Sequence, residues 1–207
     1  MRAFVTIKIM IRSKYKATMK RLLKKPLFTA KEASKAGLSR RMLAYYCTRG
    51  IFHRIGRGVY RASDFDSQAP VDLEDLALTA SSISKGVVCL ISALFFYDLT
   101  DQMMREYWIA IPNKNRAVKR AHVRIIRMRN ITLGQTEVNI GEYKVRIFDR
   151  ERTIIDAFRY LSIEIAIKAL KAYFSHARLY KPDLRKLERY ARVFKIDISP
   201  YILSFTT

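Results

Sequence analysis

The sequence predicts an α+β chain: a small N-terminal module of helices and a hairpin, then a mixed α/β C-terminal domain with extra C-terminal helices. Three observations predict it. Capped helical segments alternate with short apolar runs that glycine punctuates. Half of the 207 residues are apolar, ample for buried cores and too many for a disordered chain. The charge is divided unevenly enough to mark two modules and a connection. Residues 1–62 carry seventeen Lys and Arg against one acid, Glu32; residues 63–113 carry two against eight; residues 114–207 carry twenty-one against nine. A net charge of +22 makes a polyanion the expected partner.

Residues 1–13 have no assignment; Lys8 breaks their apolar stretch and no small-residue cleavage site follows, so a secretory signal is not expected. A first helix is predicted from about Lys14 to Lys24, with Tyr15, Met19, Leu22 and Leu23 at helical spacing and Pro26 closing it. Thr29-Ala30-Lys31-Glu32 is a capping box, and Gly37 ends the short helix that it opens. Ser39 caps the next helix, about Arg40 to Arg49, which Gly50 stops. Leu43, Tyr46 and Cys47 fall on one side of it, and Arg40, Arg41, Ala44, Tyr45 and Thr48 on the other, with Arg49 at its end. Ile51–Ile55 and Val59–Arg61 flank Gly56-Arg57-Gly58 as a hairpin with an arginine at its tip. In this order the elements make a winged helix-turn-helix over 14–62, a module whose second helix lies in a DNA major groove.

On that reading Arg40, Arg41, Tyr45 and Thr48 meet base edges, where an arginine fork bonds both O6 and N7 of guanine. Arg54 and Arg57, with His53 beside them, hold phosphates or the minor groove, and Ser39 orients the helix by capping it.

Residues 63–70, with Asp64, Asp66, Ser67, Gln68 and Pro70, are the expected linker to a domain over 71–207. There a helix opens at Asp72, Glu74 and Asp75 with Leu73, Leu76, Ala77, Ala80 and Ile83 inward. Val87–Leu90 is predicted as a buried strand, and Ser92 as the cap of a short helix, Ala93–Tyr97. Tyr107–Ile111, Val123–Met128 and Tyr143–Phe148 alternate as strands. Two further helices run from about Arg152 to Tyr173, broken near Ser162, and from Pro182 in its first turn to Phe194.

The sequence resembles the AbiEi-type antitoxin family of bacterial transcriptional regulators. The resemblance runs from Phe28-Thr29 through Gly37-Leu38-Ser39 to Gly50–Tyr60, then Ser92-Ala93-Leu94, Leu99-Thr100-Asp101, Trp108–Pro112 and Arg152-Thr153-Ile154-Ile155-Asp156, covering roughly Phe28 to Phe174. Asp98 stands where that family commonly has glycine and Met104 where it commonly has proline. The resemblance implies a repressor that binds inverted repeats at its own promoter. It also implies a type IV toxin-antitoxin role, in which the protein counteracts a nucleotidyltransferase-like toxin without forming a stable complex with it.

Other readings are narrower. Lys114, Arg116, Lys119, Arg120, Arg124 and Arg127, with Arg129, form a second basic stretch that extends a nucleic-acid track or, alternatively, solvates an edge strand. Arg152 and Asp156 are spaced as an ion pair. His122 and His176 have no ligand pattern around them, and Cys47 and Cys89 are expected as reduced thiols outside any zinc or disulfide framework. No enzymatic activity, cofactor, metal or membrane partner is expected. The longest apolar run, Val87–Tyr97, is about half of what a spanning helix requires, and the reduced thiols make a cytoplasmic location the expectation. The competing classes are an RNA-binding protein, an enzyme acting on nucleic acid, and a solitary DNA-binding regulator without a toxin partner.

Overall fold

The computed structural model describes residues 13–116, 119–175 and 180–206. The N-terminal segment over 1–12 and His176 lie outside the described residues. The chain divides into two compact units, one reaching to Ile83 and including Asn139–Tyr143, the other comprising Ser84–Val138 and the residues from Lys144 onward.

In the first unit a 3₁₀ turn, Ser13–Tyr15, leads into α1 (Lys16–Leu23). It is followed by β1 (Phe28–Thr29), α2 (Ala30–Lys35), α3 (Arg40–Thr48), β2 (Phe52–Gly56), β3 (Val59–Ala62) and α4 (Val71–Ser82). The three strands form an antiparallel sheet in the order β1-β3-β2. Sequence patterning left β1 out, because two residues cannot show a period; it is defined by pairing, Phe28 with Tyr60 and Thr29 with Val59. Met19 and Leu22 of α1, Leu43 and Tyr46 of α3 and Phe28, Ile51 and Phe52 are all at most 2% exposed and make one core. Phe28 and Phe52 meet edge to face at 4.9 Å, a favoured aromatic geometry.

The units divide at Ile83, one helix beyond the expected linker at 63–70, because α4 is tied to the hairpin. Arg61 of β3 pairs with Glu74 of α4 at 2.8 Å, and the Tyr143 hydroxyl donates to the same carboxylate at 3.1 Å. The 63–70 segment is itself pinned, since the Gln68 amide donates to Glu142 at 2.8 Å. Gly141 has φ +55, and a Cβ there would stand 2.5 Å from the Ala69 nitrogen.

The second unit holds β4 (Val87–Val88), α5 (Leu90–Phe96), β5 (Tyr107–Pro112), β6 (Val123–Met128), β7 (Gln135–Ile140), β8 (Tyr143–Phe148), α6 (Arg150–Tyr160), α7 (Ile163–Ser175), α8 (Leu184–Phe194) and α9 (Ser199–Thr206). The turn between β7 and β8 is counted with the first unit. The sheet order is β6-β5-β4-β8-β7, with β4 antiparallel to β5 and parallel to β8, and β5 parallel to β6. Its helices share a core through Leu94, Ile154, Ile155, Leu170, Tyr173 and Leu187.

Several expectations are corrected here. The strand at Val87 ends at Val88. Leu90, at φ +49, turns the chain directly into α5, whose N-cap is Cys89. Ser92 therefore lies buried inside the helix instead of capping it. Its hydroxyl accepts from the Trp108 amide at 2.9 Å and donates to the Glu106 carbonyl at 3.4 Å, fastening α5 to β5. α8 starts at Leu184, which leaves Pro182 outside its first turn, because Asp183 caps it, its carboxylate accepting from the Lys186 amide at 2.9 Å. α6 begins two residues early because Asp149 caps it through the Arg152 amide at 2.8 Å.

Candidate nucleic-acid interface

α3, the third helix of the first unit, owes its start to Ser39, whose Oγ accepts from the Met42 amide at 3.3 Å while Leu38 before it is buried. Capping by serine satisfies a donor that the first turn leaves unpaired. The helix before it is fixed by the complete capping box: Thr29 Oγ1 accepts from the Glu32 amide at 3.1 Å and Glu32 accepts from the Thr29 amide at 2.8 Å. Lys25 donates to Glu32 at 2.6 Å. The Lys25 ammonium, with Thr29 behind it, holds the Glu32 carboxyl down at about 2. The single acid within residues 1–62 is thus occupied by a cation of its own.

At about 100° per residue, Leu43 and Tyr46 point into the core and Arg41, Ala44 and Thr48 form the opposite crest. Arg40 and Arg49 stand on its two flanks. Arg40, Arg41, Ala44, Thr48 and Arg49 are all exposed. Tyr45 is half-buried: its ring packs against the core, edge-on to Tyr46 at 5.4 Å, and the Arg49 guanidinium lies 5.4 Å above it. It buttresses the crest with part of its surface and positions Arg49 with the rest. Thr48 Oγ1 donates to the Tyr45 carbonyl at 2.8 Å, so its hydroxyl proton is engaged and its lone pairs face outward as acceptors. Cys47, half-buried beside these residues, has its thiol pushed up by burial and stays protonated at neutral pH.

The hairpin carries three more exposed groups, His53, Arg54 and Arg57. Arg54 Nε donates to the Gly56 carbonyl at 3.2 Å, which braces the guanidinium along the turn, and Arg57 stands at the tip. Gly58, at φ +73, closes the turn and its carbonyl accepts from the Ala30 amide at 2.9 Å, locking the hairpin to α2. Sequence reasoning missed the brace at the hairpin's base, Arg61 to Glu74; its signal was a basic residue alternating with Tyr60 beside the acidic opening of α4.

The second basic stretch lies in the second unit, on the loop before β6 and on β6, which is a sheet edge. Lys114, Arg116, Lys119, Arg124 and Arg127 are exposed and Arg120 is half-buried. Register separates them: Arg124 pairs across to Trp108 and Arg127 to Ile111, so alternation places the two on opposite faces. Arg124 lies 4.4 Å over the Trp108 ring with Glu106 4.0 Å from its Nε. Arg129 falls beyond the end of β6 at Met128.

Arg152 and Asp156 are structural. The arginine is 0% exposed; its Nε donates to Asp156 at 2.9 Å and its Nη1 to the carbonyls of Asn130 at 3.0 Å and Leu133 at 2.6 Å. Among the described residues, no group of three or more His, Cys, Asp or Glu is placed to hold a metal ion, and no helix is long and apolar enough to cross a membrane.

Capped α2 and α3, the glycine-closed hairpin and an outward face of cations together make the first unit a winged helix-turn-helix. Residues 18–63 match the family described as transcriptional regulator, AbiEi antitoxin. The match spans α1 through β3 and ends at Ser63, so the Ser92-Ala93-Leu94 and Arg152–Asp156 motifs stand outside it. None of the curated proteins matches the chain.

Proposed function

We propose that this protein is a sequence-specific DNA-binding transcriptional regulator that represses its own promoter, an antitoxin of the type IV class, acting by binding and not by catalysis. The carrying observation is the crest of α3: Arg41 and Thr48 face outward directly opposite Leu43 and Tyr46, on a helix whose start Ser39 fixes. Arg41 is the base-reading group, with Arg40 and Arg49 flanking it on phosphates, and Arg54 and Arg57 hold the backbone from the hairpin. The match of residues 18–63 to a regulator family supports the assignment. The resemblance supplies the finer partners, an inverted-repeat operator and a nucleotidyltransferase-like toxin opposed without a stable complex. The site of action is the cytoplasm.

The test is a titration against duplex DNA carrying the protein's own promoter and against a scrambled duplex of equal length. A preference for the promoter of at least about a thousandfold, the low end for specific binding, is expected. Equal affinity for both would remove the proposal.

A further inference from the structure

One cleft of the second unit has no part in anything assigned so far. It encloses about 710 Å³ beside the loop that joins α5 to β5, a size that suits a small molecule. Ile91 of α5 and Trp108 of β5, the one buried and the other half-buried, supply its apolar floor, and exposed Gln102, Met103, Arg105 and Glu106 of the loop form its rim. Met103 is 84% exposed. A thioether left in water beside an apolar cleft is covered favourably by an aromatic ring, because sulfur and ring attract one another. The charges at the rim are unequally matched. Glu106 stands 4.0 Å from the Arg124 guanidinium, which itself lies 4.4 Å over the Trp108 ring. Arg105 forms no ion pair among the described residues. The cleft therefore presents one uncompensated guanidinium at the edge of an apolar floor, with the Gln102 amide as a further donor.

We propose that this cleft binds a small aromatic carboxylate. The ring lies against Ile91, Trp108 and Met103, and the carboxylate takes the Arg105 fork, whose parallel N–H donors match two coplanar oxygens. A phosphate monoester is the poorer ligand: its second negative charge meets the Glu106 carboxylate, and the nearest further cation, Arg124, already faces that acid. The site lies wholly within the second unit and stands or falls separately from promoter binding.

The full chain is titrated with benzoate while Trp108, the only tryptophan, is excited at the red edge of its absorption, where benzoate is transparent. A saturable change in emission is expected. Arg105→Gln, at an exposed side chain that the fold does not need, weakens benzoate at least about tenfold, the loss of one charge-assisted hydrogen bond. Benzamide, of the same shape without the charge, binds the parent about as weakly as benzoate binds that variant. Met103→Ser weakens benzoate and benzamide alike, by roughly two- to tenfold. Arg185→Gln removes an equal charge from exposed α8 and leaves the benzoate affinity at the parent value, which separates a seated carboxylate from general attraction to a chain of net charge +22. An emission change that rises without saturating overturns the proposal. So does an Arg105→Gln variant with the parent's affinity, benzamide binding as tightly as benzoate, or phenyl phosphate binding more tightly than benzoate.

Discussion

Replacing Arg152 by methionine removes the most heavily bonded buried side chain in the second unit. The guanidinium gives up an ion pair with Asp156 at 2.9 Å and donors to two carbonyls, Asn130 and Leu133. It also leaves the rings of Phe148 and Phe194, each 4.3 Å from its central carbon. Breaking a buried pair by deleting one partner costs about 3–5 kcal/mol, because the remaining charge is stranded. Here the lower end applies, since Arg159 still reaches Asp156 at 2.6 Å and comes from a side chain 23% exposed. Each carbonyl left without its donor adds on the order of 1 kcal/mol, and the methionine chain recovers part of that through contact with the two rings. The net expectation is a loss of about 3 kcal/mol. Trp108 is the only tryptophan and lies in β5 of that unit, so its fluorescence follows the right transition during urea unfolding. With a slope of about 1–3 kcal/mol per molar urea, the midpoint falls by roughly 1–3 M. A variant that loses less than about 1 kcal/mol would refute the assignment of Arg152 to architecture and return it to the list of functional groups.

Two further outcomes follow from the hydrogen bonds. Glu32 titrates at about 2 when folded against an ordinary value of 4.5, so as pH falls the unfolded chain takes up its proton first. The capping-box contribution is therefore present above the ordinary carboxyl range and is lost as pH drops toward about 2, and Glu32→Gln flattens this acid limb of the stability curve measured on the first unit's transition. Ser92→Ala strips the Trp108 amide of its acceptor at 2.9 Å in a buried setting; a loss of about 1–3 kcal/mol with a changed Trp108 emission is expected, and parent-like stability would contradict the bridging role.

The first unit was largely legible in the sequence because its signals are local. A threonine three residues before a glutamate, a serine before a helical run and Gly56-Arg57-Gly58 each act through neighbours within a turn, and all three sit where spacing placed them. Tyr45 shows the limit: helical angle puts it near the crest, but its ring reaches back to the core, a matter of side-chain length that periodicity does not record. In the second unit the failures have the same origin. Ser92 has the composition of a cap and the position of a bridge, because its partner Trp108 lies sixteen residues away on another strand. β7 escaped notice because Gln135-Thr136-Glu137-Val138-Asn139-Ile140 has few apolar residues to alternate, as an edge strand with one wet face permits. α9 was also left out; Pro200 in its first turn is compatible with a helix start but no cap announces it. Asp98 is the reverse case. Its φ of +56 is the left-handed conformation for which glycine is suited, and aspartate is among the few residues that tolerate it. The departure from the family's glycine is thus conformationally conservative.

The most direct measurement compares Arg41→Ala with Arg57→Ala on promoter and scrambled duplexes at one fixed salt concentration. Losing a guanidinium from the α3 crest should erase about 1–3 kcal/mol of the difference between the two duplexes, a factor of roughly 5 to 150. Losing the guanidinium at the hairpin tip should weaken both duplexes alike and leave their ratio unaltered. If Arg41→Ala keeps the parent's ratio of affinities, the outward face of α3 does not read DNA.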